Sequence, residues 1–261
     1  MTQETPARRL AFRVEYDGTA YHGWQAQPSG QPTIQAALVE ALSKFFERPV
    51  GVDGASRTDA GVHALDQLAA ATIEHPIRPE GFVRAVNKRL SDDIAIGDAR
   101  EVPLDYAPRF VNAGKIYRYQ IYTARTRRPL LDRYAWRVPW ALDREAMEVA
   151  SRSLLGTHDF TSFAASNGGH RSTERTLTAV TFDDGPSGLI QIRVEGTAFL
   201  QHMVRNLVGT LVAVGRGSRD PSDVASILEG RDRRLAGVTA PARGLLLEKM
   251  LFDPRGERAA L

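Results

Sequence analysis

Apolar positions along the chain change period several times, and each change marks an element. Leu10 to Tyr16 alternates and is rich in strand formers, and Asp17-Gly18 closes it as a turn, so a first strand is expected there. From Ile34 the period becomes helical. Ile34, Ala37, Leu38, Ala41, Leu42 and Phe45 share one face, Thr33 stands at the N-cap position and Pro49 ends the run. A short strand near Val50 to Gly54, a polar loop from Ser56 to His63 and a strand near Leu65 to Ile73 follow. Pro79 opens a second helix through Phe82, Val83, Val86 and Leu90, and a strand at about Ile94 to Val102 completes the order β-α-β-β-α-β.

The second half runs through a related order. Ala113 to Thr123 is a long alternating strand, and Asp143 caps a helix through Met147, Ala150, Leu154 and Leu155 that ends at Gly156. Strands near Leu177 to Phe182 and Leu189 to Val194 are joined by the turn residues Asp184 to Gly188. Phe199 to Val214 reads as an apolar helix, Asp220 as the cap of another that starts at Pro221 and ends at Gly230, and Leu245 to Phe252 as a last strand. Two split β-α-β units give an α+β fold with antiparallel sheets and helices on one face of each. The division expected is residues 1–105 and 106–261, with a cleft between the halves. The stretch from Gly156 to Arg175, with Asn167-Gly168-Gly169-His170 near its end, reads as a long mobile or functional loop.

Composition narrows the function. A chain of 261 residues with 43% hydrophobic and 25% charged residues is that of a folded protein of two modest domains. The longest apolar run, Leu207 to Val214, falls well short of a membrane span, and Met1 to Arg9 has no apolar core of the kind a secretory signal needs. A cytoplasmic protein without membrane contact is expected. There is no cysteine, which excludes disulfides, thiolate metal sites and a cysteine nucleophile.

Net charge is only +3, but its distribution is uneven. Between Arg109 and Arg144 nine basic residues face only Asp132 and Asp143, and seven aromatics, from Phe110 to Trp140, interleave with them. Cations for phosphates beside flat rings for bases suit unpaired or splayed nucleotides; a solvated strand and loop whose aromatics are core is the bland alternative.

The stretch Ser56-Arg57-Thr58-Asp59-Ala60-Gly61-Val62-His63 sets a carboxylate among small residues between two strands. By composition alone Asp59 can cap a turn, bind a metal with His63, or act as nucleophile or base. The metal reading is weak, because the six histidines contain no H-x-x-x-H pair and no thiolate supplements them. Arg205, on the otherwise apolar stretch Phe199 to Gly209, needs a partner, and a carboxylate in the cleft would be one.

Taken in order, these stretches resemble the tRNA pseudouridine synthase A family. The likeness runs through Tyr16-Asp17-Gly18-Thr19, Tyr21-His22-Gly23-Trp24-Gln25, Thr33-Ile34-Gln35, Arg57 to Ala64 and Lys115 to Tyr119. It continues through Gly156 to Phe160, Phe199 to Gly209, Ala240-Pro241-Ala242 and Gly244-Leu245. The resemblance implies two ferredoxin-like halves, with antiparallel and mixed sheets, around a central basic cleft. It also implies a homodimer, no cofactor, no metal, and the tRNA anticodon stem-loop as partner, with uridines at tRNA positions 38, 39 and 40 isomerised to pseudouridine. Asp59 matches the family's catalytic aspartate. Tyr117 matches the tyrosine that stacks on the target base, Arg205 the arginine that pairs with the aspartate, and Arg57 the arginine that helps displace the base. The chain departs from the family at Ser56, at Tyr106-Ala107-Pro108-Arg109-Phe110, and after Ala64, where it has Leu65-Asp66-Gln67. A tandem RNA-binding module without chemistry is the alternative from another class; it lacks the aromatic signature such modules carry.

Overall fold

The structure is a computed structural model that describes residues 5–28, 30–166, 168 and 172–252. It divides into two units, one of residues up to Ala113 together with the last strand from Leu247, the other from Gly114 to Leu246.

In the first unit the elements are β1 (Arg8–Tyr16), α1 (Ile34–Phe46), β2 (Val52–Gly54), β3 (His63–Ile73), α2 (Pro79–Asn87) and β4 (Ile94–Val102). This is the expected order. β1 lies between β4 and β3 and pairs antiparallel with both, and β2 adds to β3 in the same sense. The last strand, β10 (Leu245–Leu251), lies on the other side of β3. There the Met250 amide donates to Asp66 Oδ2 at 2.8 Å, and the Ala113 amide to the Leu251 carbonyl at 2.8 Å.

Thr33 caps α1 as its sequence predicts, its hydroxyl accepting from the Ala36 amide at 3.3 Å. Glu47, in the left-handed region, ends the helix ahead of Pro49. Ile34, Leu38, Ala41 and Leu42 are buried, as are Phe82 and Val86 of α2 and Leu10, Phe12 and Val14 of β1. Burial of side chains of this size contributes about 1.5–3 kcal/mol each, which explains why the periodic positions fix the helices to the sheet.

The second unit is built from β5 (Gly114–Thr123), a single turn α3 (Pro129–Asp132), β6 (Trp136–Val138), α4 (Arg144–Ser151), β7 (Gly156–Asp159), β8 (Glu174–Gly185), β9 (Leu189–Gly196), α5 (Met203–Gly215) and α6 (Asp223–Gly230). The strands order as β5-β9-β8-β7, all antiparallel, with β6 parallel to β5. The whole is a mixed α+β fold with mostly antiparallel strand pairing.

Several local expectations are corrected. The stretch after Gly156 begins as a strand, because Gly156 to Asp159 pair with Leu177 to Glu174. Of the loop segment near its end, Asn167, Gly169 and His170 lie outside the described residues. α5 starts at Met203 rather than Phe199, since His202 takes a left-handed conformation with φ 62°. α6 runs from Asp223, and Asp220 caps the turn that leads into it, its carboxylate accepting from the Ser222 amide at 2.9 Å. Among the described residues no helix is long and apolar enough to cross a membrane.

Candidate active site

Two stretches that are far apart in sequence meet around Asp59 in the first unit, and a third backs one of them. The loop between β2 and β3 folds into a tight turn: the Val62 amide donates to the Asp59 carbonyl at 3.1 Å, and Gly61 supplies the φ of 76° that such a turn requires. The segment after β1 wraps this turn. The Trp24 amide donates to the Thr58 carbonyl at 3.1 Å, and the Gly61 amide to the Tyr21 carbonyl at 3.1 Å. Tyr16 and Thr58 share a buried hydroxyl–hydroxyl hydrogen bond of 2.8 Å.

Two glycines make this contact possible. A Cβ at Gly18 would lie 2.0 Å from the Val62 carbonyl oxygen, and one at Gly23 would lie 2.5 Å from the Thr58 oxygen. Gly23 also has φ 89°, where side chains are strained. The two glycine motifs of the sequence therefore serve the Asp59 loop directly. The third stretch secures the segment after β1: the amides of Ile34 and Gln35 donate to the carbonyls of Gly23 and Trp24 at 3.2 and 3.0 Å. Gln35 also bonds through its side chain to Ala26 and Val52.

Gln67 completes the frame. It is fully buried, its Oε1 accepts from the Ser56 amide at 3.1 Å, and its Nε2 donates to the Ser56 carbonyl at 2.6 Å. A buried amide that meets both backbone groups of one residue holds that residue as a strand neighbour would. Gln67 did not stand out in the sequence by period or by motif. His63 is buried, and its Nδ1 accepts from the Gly18 amide at 3.1 Å, with Asp17 Oδ1 also 3.1 Å away. A ring nitrogen that accepts from a backbone amide works as a brace for the loop. Asp59 itself is half-buried at the head of the turn, and Arg57 is exposed two residues earlier.

Tyr117 and Arg205 belong to the second unit. Tyr117, on β5, is buried to 6% exposure, with its ring edge-on to Phe199 at 5.1 Å. Arg205 is half-buried in the first turns of α5, and its Nε donates to the Ala240 carbonyl at 2.7 Å. Tyr119, two residues beyond Tyr117, donates its hydroxyl to the Pro241 carbonyl at 2.7 Å. Burial pushes the Tyr119 phenol far above its ordinary pKa, although the cations of Arg205 and Arg243 pull the other way. That hydroxyl stays protonated and structural.

The interleaved aromatics of this region divide between core and surface. Tyr119 and Tyr122 are buried, and among the seven only Phe110, Tyr134 and Trp140 are well exposed. The positive surface is narrower than the sequence suggests: Arg125, Arg127, Arg128 and Arg133 are exposed together between β5 and β6, whereas Arg144 is held by Glu148 and Asp184. Among the described residues no group of three or more histidines and carboxylates is arranged to hold a metal.

Residues 13–111 and 150–253 match the family model described as tRNA pseudouridine synthase, and the chain belongs to that family of isomerases. The matched stretches contain Arg57, Asp59 and Arg205, while Tyr117 lies between them. Among its relatives is the tRNA pseudouridine synthase A of Myxococcus xanthus, 43% identical over 244 residues that cover 94% of this chain and 92% of that protein. Those of Syntrophotalea carbinolica and Thermotoga neapolitana are each 42% identical, over 93% and 94% of this chain and 95% and 100% of theirs. Among solved structures, a Cbf5–Nop10–Gar1 complex is similar at a TM-score of 0.37 and 11% identity, over 92% of this chain and 49% of that one. A likeness at that level says nothing about function.

Proposed function

We propose that this synthase converts the uridines at tRNA positions 38, 39 and 40, in the anticodon stem-loop, to pseudouridine, with Asp59 as its catalytic residue. The observation that carries the reading is the half-buried carboxylate of Asp59 at the head of a turn whose backbone is fastened on both sides to the Tyr21–Trp24 segment, both stretches being in the sequence likeness. A group fixed in this way meets its target with little reorganisation.

The chemistry breaks the N1–C1′ bond, turns the detached uracil and joins C5 to C1′. The C5 proton leaves, N1 gains one, and no oxidation or hydrolysis is involved, so the reaction calls for no cofactor. A base within a stem must first leave the stack, at a cost of about a few kcal/mol. In this reading Arg57 fills the space vacated and Tyr117 gives the uracil a flat surface. Stacking of this kind is worth about 1–3 kcal/mol. Asp59 acts as nucleophile at the sugar or as base toward a ribose proton, with Arg205 as its guanidinium partner in the reaction. The exposed arginines from Arg125 to Arg133 hold phosphates.

The strand order β4-β1-β3 with β2 beside β3 supports a ferredoxin-like first half. A second such half, a basic cleft, a homodimer and a cytoplasmic location complete the reading.

Mapping pseudouridine nucleotide by nucleotide in transcripts that carry uridine at 38, 39 or 40, and elsewhere in the same arm, tests the assignment. Product is expected at those three positions and nowhere else in the arm. Product at other positions, or none at these three, would overturn it.

A further inference from the structure

The guanidinium of Arg233 is spent on neutral oxygens. It is half-buried just after α6, its Nη1 donates to the Gly237 carbonyl at 2.9 Å, and its Nη2 donates to Asn206 Oδ1 at 3.0 Å and Thr239 Oγ1 at 2.9 Å. Burial lowers its pKa, and among the described residues no carboxylate forms an ion pair with it. A cation held this way is costly unless its position serves something.

What it holds is the segment from Gly237 to Ala240, laid along the first turns of α5. Thr239 Oγ1 also donates to Asn206 Oδ1 at 2.7 Å, while the Gly237 amide donates to Thr210 Oγ1 at 2.9 Å. The buried Asn206 anchors its own amide nitrogen on the Phe163 carbonyl at 2.8 Å. The approach is so close that a Cβ at Gly209 would lie 1.7 Å from the Val238 oxygen. At the end of this segment Ala240 meets Arg205 twice, through its amide to the Arg205 carbonyl at 3.1 Å and through its carbonyl to Arg205 Nε at 2.7 Å.

We propose that Arg233 is a positioning residue for Arg205: it fixes Thr239 and Asn206, they fix the Ala240 carbonyl, and that carbonyl fixes the plane of the Arg205 guanidinium. Arginine has many rotamers and a rigid planar fork. A single acceptor on Nε selects one orientation for the paired terminal nitrogens, the pair that suits a carboxylate or phosphate. This role for Arg233 rests on the part proposed for Arg205 in the reaction.

The test is a double-mutant cycle on the single-turnover rate of full-length protein with saturating tRNA transcript. Arg205→Gln is expected to slow the reaction about 100-fold and Arg233→Met about 10-fold, with transcript Kd in the Arg233 variant within about twofold of wild type. In the Arg205→Gln background Arg233→Met is expected to cost less than about twofold, because the group it positions is gone. Thr239→Val, which removes the link through Thr239 and keeps the cation with its bonds to Asn206 and Gly237, should show coupling of the same sign and stands in if Arg233→Met does not fold. Equal losses in both backgrounds would mark Arg233 as structural only and overturn the proposal, as would no loss on the wild-type background. A wild-type rate for Arg205→Gln would overturn the part given to Arg205, and the role of Arg233 with it, while leaving Asp59 untouched.

Discussion

Gly18→Ala is expected to slow pseudouridine formation by about 100-fold while leaving tRNA binding nearly intact, because a displacement near 1 Å at a catalytic group costs about that much. The new Cβ would sit 2.0 Å from the Val62 carbonyl oxygen and 2.7 Å from its carbonyl carbon. Both are backbone atoms, so no side chain can swing aside. The Val62 amide closes the turn onto Asp59, and any retreat of Val62 is passed on to the carboxylate. Forcing such a contact typically costs about 1–3 kcal/mol of stability, so the variant should melt lower but still fold. Single-turnover rates and a melting curve, measured together, check the prediction. A variant with the wild-type rate would mean that the turn does not control the position of Asp59.

Most of the first unit was legible because β1, α1, β3, α2 and β4 are long enough to show a period, while the three-residue β2 was read from its place between Pro49 and the polar loop. α1 was bounded at both ends by Thr33 and Pro49, and β1 was closed by Asp17-Gly18. The elements that escaped, α3, β6 and β7, have only three or four residues each, too few for any period to show. The shifted start of α5 has a local cause, a left-handed His202, which hydropathy does not register.

The site divides in the same way. Asp59, Arg57, Tyr117 and Arg205 stood out through the likeness of whole motifs. The frame around Asp59 did not, since the contacts of Gly18 with Val62, of Gly23 with Thr58 and of Gln67 with Ser56 join residues that no regular spacing relates. Arg233 was invisible for the same reason; its worth lies in Asn206, Thr239 and Gly237, and one arginine of the charged run Arg231 to Arg234 after a helix looks like surface.

The largest effect is expected from Asp59→Asn. The substitution keeps size and hydrogen-bonding reach and removes only the ionised oxygen, so the turn at 59–62 should persist. An amide can neither attack a sugar carbon nor accept a ribose proton with useful driving force, so both routes open to Asp59 close together. Loss of a group on which the chemistry depends costs about 10³-fold or more in rate, equivalent to about 4 kcal/mol of barrier. Binding should change by no more than a few-fold, since the phosphate contacts are proposed to lie elsewhere.

The C5 hydrogen must leave for the new carbon–carbon bond to form, so tritium released from tRNA labelled at uridine C5 counts the reaction itself. With enzyme in excess over labelled tRNA, the wild type should release tritium from its target uridines, and Asp59→Asn should release none above background while still retaining the tRNA on a filter. Tritium release by Asp59→Asn at close to the wild-type rate would contradict the account, because the isomerisation would then proceed without the carboxylate on which it is built.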